Sequence, residues 1–275
     1  MANRPRVNNS IKAQARAYQK SHPGTTYTAS RTAIVERRAA LDEKFASVDR
    51  FIGNPVAKEQ LKNMFRREVL RVERVQRLHA ARWAGTDELH TPPLVIPSAY
   101  PKVQVYGPTG SGKSTVARFI YDEMVTPSRK GRGLTEVDAH ELIGTHIGDA
   151  PRKIQKLVES AEGGMLLIDN IDALTAHQDP FRDEALTALS EEIRLVAHNL
   201  SVIVTGYAAP RVAGVRATEF LSMFNVEINL ASTGADEAVE FAGKFARQAH
   251  LVLGDGVGDA VREWAATVPD IHVRG

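Results

Sequence analysis

The stretch 107–115, "GPTGSGKST", has the spacing G-x-x-x-x-G-K-[ST] in full, and that spacing suits a chain of phosphates. Gly107, Gly110 and Gly112 let the backbone wrap closely enough for its N–H groups to face phosphate oxygens, with Pro108, Thr109 and Ser111 completing the loop. A helix starting near Lys113 adds its positive end. Lys113 then suits the β- and γ-phosphates of a nucleoside triphosphate, and Ser114 suits magnesium. ATP with Mg²⁺ is the ligand this loop leads one to expect.

The second half of such a site is a carboxylate delivered by a buried strand. In "GGMLLIDNIDAL", 163–174, an apolar run leads into Asp169. A strand's C-terminal end lies on the edge where open α/β sheets bind ligands, so Asp169 is expected to hold the metal shell opposite Ser114. The next residue is where an acid would prepare a water for attack on ATP, and here it is Asn170. An amide can hydrogen-bond the water or the γ-phosphate but cannot act as a carboxylate base. Asp172, two residues on, is a substitute that would need a local backbone shift.

These groups must be positioned by the elements around them. From residue 101 onward, apolar runs at 103–106, 134–137, 165–169, 201–205 and 226–230 alternate with helical patterns at 114–124, 151–161 and 181–198. Short apolar strands alternating with helices predict a parallel sheet covered on both faces. Asp149 and Asp179 have the chemistry of helix starts. Upstream, 41–85 reads as helical around a turn at "IGNP" (52–55), with Leu61, Phe65, Val69 and Val72 near helical spacing and arginines between them. The proline-rich 91–101 is a connector. The chain divides by this reading into a basic N-terminal tail (1–40), partly helical or disordered, a nucleotide-binding αβα domain (41–230) and an abbreviated helical lid (231–275).

Composition narrows the class further. Apolar residues make up 43% and charged residues 25%, as in a soluble globular protein. Cysteine is absent, which excludes disulfides, thiolate metal sites and cysteine catalysis. No apolar run is long enough for a membrane span, and the polar N-terminus lacks the apolar core of a secretory signal. A cytoplasmic location is the expectation. The net charge of +2 names no partner. Residues 1–40, however, carry eight basic side chains against the single acid Glu36. They contain a short helical pattern with Ile11, Ala15 and Tyr18 on one side, ended by "HPG" at 22–24, and a second from Ser30. Such a tail suits an acidic protein partner. It gives weaker support to nucleic acid, because no aromatic residues interleave to stack bases.

In chain order, "IGNPVAKEQLK", "GPTGSGKST", "ELIGTHIGDAPRKIQKLVESAEGGMLLIDNIDAL" and "SVIVTGY" resemble an AAA+ module. Within that superfamily they are most similar to the CbbX-like branch, which includes rubisco activases of red-type lineages and ATPases of type VII secretion. The resemblance covers roughly 41–248. It implies a P-loop NTPase core, a five-stranded parallel sheet between helices with a helical lid. It also implies a homo-oligomer, a ring or filament with commonly six subunits per ring or turn, in which ATP at subunit boundaries drives remodelling of a client. Carried over by position, Ile52 and Gly53 border the adenine, while Gly107, Gly112, Lys113, Ser114 and Thr115 hold the phosphates. Asp169 takes the metal, and Thr205 is the nearest polar group to the first sensor position.

Several positions depart from that pattern. The family's water-activating glutamate falls on Asn170. Its arginine finger falls on Met223 in "FLSMF" (220–224), where a thioether replaces a group worth roughly 10³–10⁵ in rate. Arg211 and Arg216 lie upstream as substitutes. The aromatic residue of the pore loop falls on His146, and Arg274 is the only late candidate for a lid sensor. An intact cradle beside a damaged catalytic pair predicts an ATP–Mg²⁺-binding protein that oligomerises through its nucleotide sites. Hydrolysis would be weak or absent, and bound nucleotide would stabilise an assembly or remodelling component. The alternative is an active ATPase that remodels a protein client with a non-standard base or a finger from a partner subunit.

Overall fold

The computed structural model describes residues 4–21, 24–50, 53–84, 101–124, 133–197, 199–207, 212–232 and 234–267. The N-terminal part is helical, as α1 (Arg4–Ser21), α2 (Tyr27–Asp49) and α3 (Pro55–Ala84). The alternating part follows as β1 (Lys102–Tyr106), α4 (Lys113–Met124), β2 (Leu134–Asp138), a 3-10 turn (Ala139–Leu142), α5 (Asp149–Ala161), β3 (Met165–Asp169), α6 (Asp172–Thr175), α7 (Pro180–Leu195), β4 (Ser201–Gly206), α8 (Gly214–Leu221) and β5 (Val226–Asn229). Two last helices are α9 (Ala235–Gln248) and α10 (Val257–Thr267).

The five apolar runs pair as one parallel sheet in the order β2-β3-β4-β1-β5. Successive residues of a strand point to opposite faces, so a strand that is apolar throughout must be covered on both. Leu166, Ile168, Val202 and Val204 pack with Ile154, Val158, Leu186 and Ile193 of α5 and α7. Their neighbours Met165, Leu167 and Ile203 turn the other way, to Leu61 and Phe65 of α3 and Val116 and Ile120 of α4. Phe65 is fully buried and meets Phe119 edge-on at 6.1 Å between ring centres.

Local chemistry sets the helix boundaries. Asp179 caps α7, accepting hydrogen bonds from the Phe181 and Arg182 N–H groups at 3.0 and 3.1 Å. Asp149 stands in the first turn of α5 and accepts from Thr145 Oγ1 at 3.0 Å and from the His146 N–H at 2.9 Å. Helix α7 ends at Leu195, short of residue 198, because the chain turns there: Asn199 N–H donates to Val196 O at 2.8 Å on the way into β4.

Within the first forty residues, 4–21 and 27–40 are helical. Ala15 of α1 and Ile34 of α2 are buried, and α2 runs unbroken through position 41. Val48 near its end belongs to the core cluster of α3 and α4. Lys44 reaches Glu123 of α4, donating to its backbone carbonyl and lying 3.1 Å from its carboxylate. At the other end of the chain, α9 and α10 pack through Ala235, Ala238, Val261 and Ala265. The proline-rich connector at 91–100 lies outside the described residues.

Candidate nucleotide-binding site

Parallel pairing sends every strand's C-terminal end to one edge. The register sets Tyr106 beside Gly206 and Asp138 beside Asp169. The loop after β1 is pinned there by Gly107 N–H to Gly206 O at 3.2 Å. Glycine is required at 107 because a Cβ would stand 2.6 Å from Ser111 Oγ, 2.8 Å from Leu230 Cβ and 2.9 Å from Leu230 O. Gly112 has φ +89 with open space where a Cβ would point, so this position needs glycine for its backbone and leaves one side of the loop clear. Lys113 Nζ lies across the loop, donating to Gly107 O and Pro108 O at 2.9 Å each. Burial pulls its ammonium below the ordinary lysine value, and Asp169 and Asp172 partly restore it. Ser111 Oγ is buried in the loop without a hydrogen-bond partner. An unpaired buried hydroxyl, a clear backbone face and a half-buried ammonium together fit a phosphate chain.

Beyond the loop, the ends of β2, β3 and β4 form a polar corner. Thr205 is fully buried at the end of β4; its hydroxyl donates to Asp169 and accepts from the Asn170 N–H at 3.3 Å. Asn170 itself has φ +57, a left-handed conformation that asparagine adopts more readily than most residues. Its side-chain Nδ2 donates to Asp138 Oδ2 at 2.6 Å. Asp138 Oδ1 accepts from the His140 N–H at 2.8 Å and lies 2.8 Å from His140 Nδ1. Burial pushes the Asp138 carboxyl up, but bonds from the His140 N–H and Asn170 outweigh it and hold it below its ordinary value. Asp172, the substitute base suggested by sequence spacing, is engaged elsewhere: its Oδ2 accepts the Tyr207 N–H at 2.5 Å. The carboxylate that meets Asn170 is Asp138, 32 residues upstream. No local spacing signals it; only the adjacency of β2 and β3 does.

A cleft of about 600 Å³ runs from the phosphate loop toward α9. Gly110, Ser111 and Gly112 line one end, and Leu61, Phe241 and Phe245 supply apolar surface. Ser47 and Arg50, at the end of α2, also face it. Helix α9 is tied to the turn before α3. Gly53 and Asn54 are both left-handed, at φ 66 and 49. Asn54 N–H donates to Glu237 Oε1 of α9 at 3.1 Å, and its Oδ1 accepts from the Ala231 N–H at 2.6 Å. A Cβ on Gly53 would lie 2.0 Å from Glu237 Oε1.

The remaining sequence-marked positions fall as follows. Met223 packs against the apolar cluster of α7 and α8. Arg216 is exposed on α8 and pairs with Glu219 at 3.0 Å. His146 is exposed, with Nδ1 at 3.4 Å from Asp149 Oδ2. Ile52, Arg211 and Arg274 lie outside the described residues.

Residues 103–229 match the family described as "ATPase family associated with various cellular activities (AAA)". The ESX-3 secretion system protein EccA3 of Mycobacterium tuberculosis is 33% identical over 153 residues, 54% of this chain and 24% of that protein. The ESX-1 secretion system protein EccA1 of Mycolicibacterium smegmatis is 28% identical over 251 residues, 87% of this chain and 40% of that protein. The chain thus spans between a quarter and two fifths of the length of these relatives. A family match beginning in β1 and ending with β5 takes in the phosphate loop, Asp169 and all five strands. Over residues 103–229, the chain is thus similar to the AAA ATPase family.

Proposed function

We propose that this protein binds ATP with magnesium in the cleft between the phosphate loop and the lid, hydrolyses it weakly or not at all, and uses it to hold an oligomer together. The observation that carries the reading is the cradle, in which the loop at 107–112 closes around Lys113 with the Ser111 hydroxyl buried and unpaired. Lys113 would meet the β- and γ-phosphates, while Ser114 and Asp169 would hold the metal. Gly53 would border the base. Among the described residues no three acidic or histidine side chains gather as a metal site. That suits Mg²⁺, which typically takes one or two protein ligands and completes its shell with phosphate oxygens and water. The bound ion would neutralise charge on the phosphates.

Weak turnover follows from the corner beside the loop. Asn170 offers an amide where a base is needed, and Met223, partly buried against an apolar cluster, offers a thioether where a finger is needed. Bound nucleotide then acts by mass action: a ligand at 100 times its Kd stabilises the form that binds it by about 2.7 kcal/mol. Sites shared between neighbouring copies, in a ring or filament of about six per turn as is common for this superfamily, would convert that energy into assembly. The similar proteins are named for ESX secretion systems, so our reading is of a cytoplasmic component that assembles with or remodels a protein partner. The basic α1–α2 hairpin is the part of the chain suited to an acidic partner.

The test is ATP turnover by the purified protein against Lys113→Ala, read beside the shift in melting temperature with ATP–Mg²⁺. A shift of about 5–11 °C at 100 times Kd, absent in the variant and accompanied by turnover no faster than the variant's, is the expected result. Turnover well above that blank would replace this reading with an active motor that has an unrecognised base.

A further inference from the structure

Helix α7 presents four acids to one groove on the side of the sheet away from α3 and α4. The groove, of about 390 Å³, has Asp183, Glu184, Glu191 and Glu192 among its lining residues, with Pro151 of α5 and Arg216 of α8. Arg216 is the one cation lining it among the described residues, and it is paired with Glu219 at 3.0 Å. Glu184 Oε1 accepts from the Gly148 N–H at 2.8 Å, and its Oε2 is buried without a hydrogen-bond partner. None of the other three acids meets a basic side chain among the described residues. We propose that this groove receives the basic helix α1 of a second copy of the chain. The proposal rests on the oligomer reading above and deepens it by naming a contact between copies.

Charge and spacing choose the occupant. Lys12, Arg16 and Lys20 are exposed on α1 at intervals of four residues, which sets them on one face of the helix. None of the three has an acidic partner among the described residues. At the rise of an α-helix this stripe is about 12 Å long, and the acids from Asp183 to Glu192 extend over about 14 Å. Three cations therefore match the length of four acids. Another side of α1 is already used, since Ala15 is buried and the helix packs against α2. The basic face is the one left for a partner.

The sheet separates the two surfaces within one chain. Helix α1 is carried by α2, whose Val48 joins the cluster of α3 and α4 on the face to which Met165, Leu167 and Ile203 turn. Helix α7 covers the other face, with Leu166, Ile168 and Val202. A neighbouring copy can meet each surface where the chain's own helix does not. Two different patches that fit each other make a head-to-tail contact, which closes as a ring or continues as a filament.

The experiment is sedimentation velocity of the full chain, with and without ATP–Mg²⁺, in wild type and two charge-reversed variants. One variant carries Arg16→Glu with Lys20→Glu, the other Glu191→Lys with Glu192→Lys; none of these residues lines the nucleotide cleft. Wild type is expected to assemble at low ionic strength and to move toward monomer at about 1 M salt, where the Debye length is about 3 Å. Each variant alone is expected to associate at least about tenfold more weakly, because it sets like charges together. An equimolar mixture of the two is expected to recover the assembly, since each acidic α1 then meets a basic groove and each basic α1 an acidic one. A variant that had merely unfolded could not be rescued in this way. Wild type that stays monomeric in both conditions, variants that assemble as wild type does, or a mixture that stays dissociated would overturn the inference. Salt-sensitive binding of a short DNA duplex, lost in the α1 variant while assembly is unchanged, would also overturn it and give α1 to nucleic acid. The ATP reading is judged separately by the wild-type melting shift with ATP–Mg²⁺: without that shift the nucleotide reading fails, while rescue by mixing still carries the contact.

Discussion

Replacing Gly107 by alanine tests whether the loop is held shut by its own close packing. The added methyl would enter a space bounded by Ser111 Oγ at 2.6 Å, Leu230 Cβ at 2.8 Å and Leu230 O at 2.9 Å. Ser111 can rotate away, but Leu230 contributes backbone and the root of its side chain. It is also pinned, because its N–H donates to Tyr106 O at 2.7 Å at the end of the β1–β5 pairing. Relief requires β1 and the chain after β5 to separate. Overpacking of this kind costs about 1–3 kcal/mol, and loosening the Leu230–Tyr106 bond adds about 1 kcal/mol. For a protein of this size that lowers the melting temperature by about 4–16 °C. Gly243 is the control. It lies inside α9 with no atom within 4 Å of where an alanine methyl would stand and no positive φ, so Gly243→Ala should stabilise by up to about 1 kcal/mol, as alanine does in a helix interior. Calorimetry of the two variants without nucleotide therefore reads opposite signs. A Gly107→Ala protein melting within about 1 °C of wild type would refute the close-packing argument for the cradle.

Two further outcomes follow from individual hydrogen bonds. Asp179→Ala removes the cap on the Phe181 and Arg182 N–H groups and should cost about 1 kcal/mol; hydrogen exchange should quicken in the first turn of α7 before it does elsewhere. Arg118 donates to both oxygens of Glu136 at 2.9 Å and, by that hydrogen bond first, holds the carboxyl below its ordinary 4.5. A depressed carboxyl stabilises the fold above its unfolded value and loses that contribution as pH falls through its folded value. The wild-type advantage over Glu136→Gln should thus be present at neutral pH, stay within about 1 kcal/mol because the pair is exposed, and vanish in acid titration below pH 4.5.

Much of the domain was legible because its signals are local. The loop spacing at 107–115, the apolar runs of the five strands and the Asp179 cap are each written within a few neighbouring residues, and the strands fall within a residue of where alternation predicts them. The short α6, the 3-10 turn and α8 were not foreseen, since pieces of four to eight residues show too little periodicity to stand out. The first forty residues read as a basic tail because charge dominates their composition. Their folding depends on Ala15, Ser30 and Ile34 being buried, a few small and apolar positions that weigh little in a charge count.

The candidate site divides along the same line. By itself the sequence determined which residues could hold phosphate and metal, because that chemistry needs glycine, lysine, serine and aspartate at fixed spacing on one turn and one strand end. Tertiary structure alone decided what surrounds them. Parallel order β2-β3-β4 brings Asp138 to Asn170 and Thr205 to Asp169, and the packing of α9 brings Glu237 to Asn54 across 183 residues. Partners that far apart are chosen by strand order and helix packing, not by spacing, which is why Asp172, two residues from Asn170 in sequence, is occupied at Tyr207 while the carboxylate that bonds Asn170 comes from the neighbouring strand.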